Sequence, residues 1–191
     1  MTFVRVDRRF RLPCVLLAMI ATLGCCSAIA QAKRSHAHTA PSAGQIHKAL
    51  ARVRRSKLLW ATVNVCQRKG KNAAKGGSIG IRGQMPTLGF SSTLSMTIQL
   101  NRWSPKSKSF VPLPYKTAKT TVSPGKFAAN LHQDGAVFPF GGPAGLLNAT
   151  VTFSWARGGK LLGTAIRQTA AGHHDAAGGQ PHYSAAECKL G

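Results

Sequence analysis

The chain is predicted to be all-β: an antiparallel β-sandwich of about seven to nine short strands, tied by one disulfide. Two stretches carry the strand signal. Leu94, Met96, Ile98 and Leu100 alternate with Ser95, Thr97 and Gln99, while Leu147, Ala149, Val151, Phe153 and Trp155 alternate with Asn148, Thr150, Thr152 and Ser154. Period-two alternation marks a strand with one buried and one wetter face. The third observation is a cysteine near each end of the same region, Cys66 and Cys188. A closed barrel is the alternative arrangement of these strands.

Residues 1–30 have the layout of a secretory signal peptide. Arg5, Arg8, Arg9 and Arg11 precede an apolar run from Leu12 to Ile29, which ends in the small-x-small site Ala28-Ile29-Ala30. Pro13 and Gly24 interrupt the run, which favours cleavage over a permanent anchor. Leu23-Gly24-Cys25 also lies where a lipidated cysteine would, a minor route to membrane anchoring. The expected location is therefore secreted or cell-envelope. Cleavage removes Cys14, Cys25 and Cys26, leaving Cys66 and Cys188 to pair in an oxidising compartment.

Residues 31–44 contain little that is apolar beyond Ala and are expected to be a disordered linker, with His36 and His38 as solvated filler. Residues 45–57 are expected to form a short basic helix, with Ile46, Leu50 and Val53 at helical spacing and Lys48, Arg52, Arg54, Arg55 and Lys57 around them. That stripe is narrow for a helix lying on a membrane and suits a lead-in to the first strand. The sandwich domain then spans residues 58–191.

Within that domain Leu58 to Cys66 is a β-forming run, and Ser78 to Arg82 offers Ile79 and Ile81. Phe110 to Tyr115 carries Pro112 and Pro114, which cannot donate to a ladder and so mark a sheet edge. Lys126 to Leu131 and Ala136 to Phe140 are short strands separated by a turn at Asp134-Gly135. Further turns are expected at Ser123-Pro124-Gly125 and Gly141-Gly142-Pro143. Arg157-Gly158-Gly159-Lys160 reads as a hairpin turn into Leu161 to Thr169, and Tyr183 to Leu190 closes the chain. Trp60 and Trp155 are expected to fill the space between the sheets, with the bridge close to one of them.

The segments Leu59-Trp-Ala-Thr-Val-Asn-Val-Cys66, Ile79-Gly-Ile-Arg-Gly-Gln-Met-Pro86 and Tyr183-Ser-Ala-Ala-Glu-Cys188 resemble recurrent stretches in exported proteins of unknown function from high-GC Gram-positive (actinobacterial) bacteria. The resemblance covers nearly all of residues 58–191. It implies export and an immunoglobulin-like sandwich whose second cysteine is displaced to the chain end. It implies no activity.

Enzymatic chemistry finds few side chains to use. After cleavage the acids are Asp134, Asp175 and Glu187, too few and too scattered for the paired carboxylates of glycoside hydrolysis or the oxygen shell of a hard cation. Gly76-Gly77-Ser78-Ile79-Gly80 matches Gly-x-Ser-x-Gly, but it follows a basic loop and precedes a strand-like segment instead of a helix. Cys66 as a thiol nucleophile, with His132, His173, His174 or His182 as base, would leave Cys188 unexplained. His173, His174 and Asp175, with His182 nearby, are weak candidates for a transition-metal site, since adjacent histidines in an extended chain face opposite ways. No cofactor and no small-molecule substrate is identified.

The compositional extreme is charge: 26 Lys plus Arg against 4 Asp plus Glu, a net +22 and a pI near 11.2. Arg68, Lys69, Lys71 and Lys75 crowd one loop, and Arg102, Lys106 and Lys108 lie on another beside Trp103 and Phe110. Lys116, Lys119 and Lys126 follow. Such loops at one end of a sandwich attract polyanions. The sequence therefore suggests a non-catalytic exported protein whose partner is an anionic polymer or surface: wall polymer, lipid headgroups, acidic polysaccharide or extracellular nucleic acid. The alternative is a small metal-dependent or hydrolytic enzyme using the His173–His182 region.

Overall fold

The computed structural model describes residues 40–68, 77–141 and 144–190. The expected signal peptide, Cys25 and the linker up to residue 39 lie outside the described residues. Among the described residues one helix, α1 (Ala43–Arg55), precedes nine strands: β1 (Trp60–Gln67), β2 (Gly77–Pro86), β3 (Ser92–Ser104), β4 (Ser109–Pro112), β5 (Lys119–Phe127), β6 (Leu131–Phe140), β7 (Gly145–Arg157), β8 (Lys160–Gln168) and β9 (Cys188–Leu190). A 3₁₀ turn at Lys116–Ala118 joins β4 to β5.

The strands form two separate antiparallel sheets, a sandwich and not a barrel. One sheet has the order β1-β2-β6; the other runs β4-β3-β7-β8, with β5 also on β3 and β9 also on β7. In the second sheet β4 pairs with Asn101 to Ser104 and β5 with Ser92 to Gln99, so the two share one edge of β3. In the same way β8 and β9 share one edge of β7. Four lanes therefore face three. The order matches immunoglobulin strands A-B-E opposite C-F-G, with the lane after C kept on the C edge instead of crossing to E. β9 is the added strand that carries Cys188 beyond the last immunoglobulin position.

Alternation explains the core. Leu94, Met96, Ile98 and Leu100 of β3 meet Leu147, Ala149, Val151, Phe153 and Trp155 of β7, and Ile79, Ile81 and Met85 of β2 cover them, all fully or almost fully buried. α1 begins earlier than the hydrophobic spacing suggests, because Ser42 and Gln45 form a reciprocal capping box. It ends at Arg55, where Ser56 is already extended. Thirteen residues make a marginal helix alone. Burial of Ala49, Leu50 and Val53 holds it, at about 1.5–3 kcal/mol for each large side chain. Leu50 fits because β8 has Gly163 there: a Cβ would come within 2.8 Å of its Cδ1.

Several turns differ from expectation. Asp134-Gly135 lies inside β6, paired with Gly83 and Arg82, and Asp134 accepts a hydrogen bond from the Gly135 N–H. The reversal falls at Ala128-Ala129-Asn130, within the expected Lys126–Leu131 strand, where Asn130 takes φ 75°. Ser123-Pro124-Gly125 is no turn either. Leu94 pairs with Gly125 and Met96 with Val122, so the segment bulges out of β5; Pro124 lacks a donor and is tolerated in an edge lane at such a place. The hairpin at Gly158-Gly159 is as expected, both residues having the positive φ that a two-residue turn between twisted strands needs. Gly142 and Pro143 lie outside the described residues.

The two tryptophans are not equivalent. Trp155 is fully buried between the sheets, its indole N–H donating to the Pro86 carbonyl at 2.9 Å. Trp60 alternates with the core residues Ala61 and Val63 and turns to the other side of β1, where it stacks on His173 at 4.4 Å. Neither sits beside the bridge. Cys66 is six positions from Trp60 along β1, and Cys188 pairs with Leu147, eight positions from Trp155 along β7. At about 3.3 Å per residue those are separations of roughly 20 and 26 Å.

Candidate functional site at the disulfide end

Cys66 and Cys188 form the bridge, Cα atoms 5.6 Å apart, and tie β1 of one sheet to β9 of the other. Strand register then fixes what surrounds it. Cys188 pairs with Leu147, Leu147 with Arg102 and Arg102 with Val111; on the other sheet Cys66 pairs with Ile79 and Ile79 with Phe138. One row thus crosses the whole molecule. Arg68 lies just past this row and donates from Nε to the Lys189 carbonyl at 3.2 Å. Arg102 lies in the row, its guanidinium donating to the Ala144 carbonyl at 2.8 Å. Lys106 and Lys108 sit on the exposed β3–β4 turn beyond it.

Of the residues singled out from sequence, Arg68, Arg102, Lys106 and Lys108 therefore share one end of the sandwich. Lys69, Lys71 and Lys75 lie outside the described residues, in the segment between β1 and β2. Lys189, missed in the sequence, joins this end; its place beside Cys188 was the available signal. Arg68 and Arg102 each use part of a guanidinium on a main-chain carbonyl, which fixes the side chain and leaves its charge unneutralised. Lys126, Arg157 and Lys160 lie at the opposite end.

Aromatic side chains accompany these cations. Trp103 and Phe110 are a cross-strand pair packed edge to face, ring centroids 5.3 Å apart, so their first role is to rigidify the hairpin. Between β3, the 3₁₀ turn and the end of β6 lies a cleft of about 220 Å³, lined by Leu100, Leu113, Tyr115, Ala118 and Phe140 among others.

The helix is basic for another reason. Arg52 donates to the Leu88 carbonyl at 3.0 Å and Arg54 to the Thr164 carbonyl at 2.9 Å. Arg167 of β8 reaches back to the carbonyls of Leu59 and Arg54, so a cation meets the negative end of α1. These arginines bind the helix to the sandwich. Beside them a second cleft of about 360 Å³ is lined by Arg55, Lys57, Trp60, Arg167 and His173 among others.

The histidine region is ordered. Ala170 to Ala185 passes along β1 and over the outward-facing side chains of its sheet. Ala170 N–H donates to the Ala61 carbonyl, Gln180 N–H to the Asn64 carbonyl, and Val63 and Ala185 exchange two bonds. Thr62 meets the Ser184 hydroxyl at 2.7 Å, Asn64 donates to the Ala177 carbonyl, and Gln133 joins Gln84 to Ala177. Buried Thr62, Asn64 and Gln84 thus find partners, as buried polar groups must. His173 stacks on Trp60, and a ring nitrogen of His174 contacts the His182 carbonyl at 2.7 Å. No group of three or more His, Cys, Asp or Glu stands close enough to share a metal among the described residues. His132 stacks on Phe127, and Ser78 is in β2 with its hydroxyl on the Gln67 amide oxygen.

Desolvation lowers the His173 pKa below 6.5, with His174 adding to the effect and Asp175 opposing it. Burial therefore favours the neutral ring, and the unfolded strap binds protons more readily than the folded one. Strap stability should be complete above the unfolded pKa and fall as pH drops through 6.5 toward the lowered value. Amide protection over residues 173–185, taken relative to the intrinsic exchange rate at each pH, should fall across that window in the native chain. That protection should stay flat in His173→Phe, which keeps a ring on Trp60.

Among the described residues no helix is long and apolar enough to cross a membrane. The disulfide fits an extracytoplasmic environment. No family model, no curated protein and no solved structure matches the chain.

Proposed function

We propose that this is a non-catalytic, exported β-sandwich protein that associates with an anionic polymer or surface through the cations of its disulfide end. The observation that carries the reading is the register row that sets Arg68, Arg102 and Lys189 at one end, with Lys106 and Lys108 just beyond. With so few acids in the chain, these cations have little intramolecular neutralisation, and their combined field concentrates polyanions. A stiff, disulfide-tied scaffold presents them without a large ordering cost on binding.

Heparin affinity in a salt series tests this. Lys106→Ser with Lys108→Ser should reduce the slope of log affinity against log salt by about two. Lys126→Ser with Lys160→Ser removes the same charge at the other end and should change the slope much less. Equal losses from both pairs would mean that net charge alone sets the affinity, and the proposed face would be abandoned.

A further inference from the structure

Resting on that polyanion reading, we infer that the physiological surface is a bilayer containing anionic phospholipid, docked by the β3–β4 hairpin and the turn that follows it. Trp103, Val111 and Tyr115 enter the interface, and Lys106, Lys108 and Lys116 lie among the headgroups. The exposed large apolar side chains elsewhere, Leu58, Leu131, Val137, Leu161 and Ile166, are dispersed over the turn before β1, β6 and β8; scattered exposure of that kind is ordinary. Trp103 (39% exposed), Val111 (40%) and Tyr115 (63%) instead gather at one hairpin: Trp103 near the end of β3, Val111 in the edge strand β4, and Tyr115 just after it. Trp103 pairs with Phe110 and Val111 with Arg102, so the first two flank the hairpin on its opposite faces. Trp and Tyr combine an apolar ring with a polar tip, the form that sits stably at headgroup depth.

The backbone of this edge also suits a site with little water. Pro112 and Pro114 have no N–H, and the N–H of Leu113 between them donates to the Leu100 carbonyl at 3.0 Å. An edge strand normally presents free donors whose dehydration is costly; residues 112–114 present none. The charge pattern completes the match. From Arg102 to Lys119 the chain has five cations and no acid. A soluble polyanion would engage those cations but leave the exposed aromatics and the donor-free residues 112–114 without a role. An anionic bilayer engages all three.

The test uses the exported chain, bridge intact and untagged, with vesicles of phosphatidylcholine alone or mixed with phosphatidylglycerol. All variants share one N-terminal form. Trp60 and Trp155 are buried, so a lipid-dependent change in emission reports Trp103. Vesicles containing phosphatidylglycerol should shift that emission to the blue, and acyl-brominated lipid should quench it. Trp103→Phe should abolish the shift but retain binding. Trp103→Ala with Tyr115→Ala should weaken partition by about tenfold or more, and Lys106→Ser with Lys108→Ser by roughly twentyfold on anionic vesicles only. Each variant is first checked for an unchanged melting temperature, with Tyr115→Ser alone as the substitute if the alanine pair is destabilised. Anionic vesicles bound with no change in Trp103 emission and no loss in the aromatic variants would overturn the inference and leave the polyanion reading intact. Heparin bound without vesicles would do the same. Failure to bind either would remove both.

Discussion

Reducing the Cys66–Cys188 bridge, or replacing Cys66 by Ser, lowers the melting temperature by roughly 10–20 °C. The bridge closes a loop with a sequence separation of 122 residues. Restricting an unfolded chain over that span corresponds to about 4–5 kcal/mol on the chain-entropy account, a large share of the roughly 5–15 kcal/mol of a whole domain. β9 has few other ties: three residues, paired to the start of β7 at Gly145, Leu146 and Leu147. Losing the bridge should therefore fray β9 and free the Lys189 carbonyl that holds Arg68. Calorimetry with and without reductant checks the first effect, and amide exchange at residues 188–190 checks the second. Cys66→Ser should be insensitive to reductant. An unchanged melting temperature on reduction would mean that packing between the two sheets holds them together without the bridge.

The strands were legible because each sheet buries one face. Alternation from Leu94 to Leu100 and from Leu147 to Trp155 leaves little freedom in register, since a slip of one residue would turn every Leu, Val and Phe outward. Turns read from local chemistry were less secure. Asp134-Gly135 is a strong hairpin signal by itself, yet pairing of β6 along the whole of β2 outweighs it. Ser123-Pro124-Gly125 likewise becomes a bulge because β3 continues past it with β7 on its other edge. Trp60 shows the limit of reading size as burial. It is buried, but under a strap whose Ala- and Gly-rich sequence has no period to announce it.

The candidate site was legible as composition and illegible as position. Clusters such as Lys106 and Lys108 are plain in the sequence, but that they share an end with Arg68 follows only from the register linking β1, β9, β7 and β3 through the bridge. The helix arginines look the same in sequence and serve another purpose, because carbonyls of Leu88 and Thr164 happen to lie within reach. His173 and His174 drew notice as metal ligands. Their order instead comes from partners spread over β1, β2 and β6, among them Asn64, Gln84 and Gln133, which no local motif connects.

Trp155→Ala should cost about 3–5 kcal/mol. The ring is fully enclosed, and its N–H is bonded to the Pro86 carbonyl, so truncation leaves a cavity and removes that donor together. Trp60→Ala makes the useful contrast. Its ring lies outside the core cluster and packs on His173, so its loss should release the strap before it unfolds the sandwich. Amide exchange separates the two: faster exchange confined to residues 170–185 for Trp60→Ala, and acceleration throughout β2, β3 and β7 for Trp155→Ala. Because the bridge lies roughly 26 Å from Trp155 along β7, their contributions should add. Cys66→Ser with Trp155→Ala would then lose about 7–10 kcal/mol, enough to unfold a domain of ordinary stability. Loss of near-ultraviolet dichroism at room temperature in that double variant alone is the expected result. A folded double variant would mean that the parent's stability exceeds the summed loss, or that the unfolded chain retains structure across this span and the entropic account of the bridge overstates its contribution.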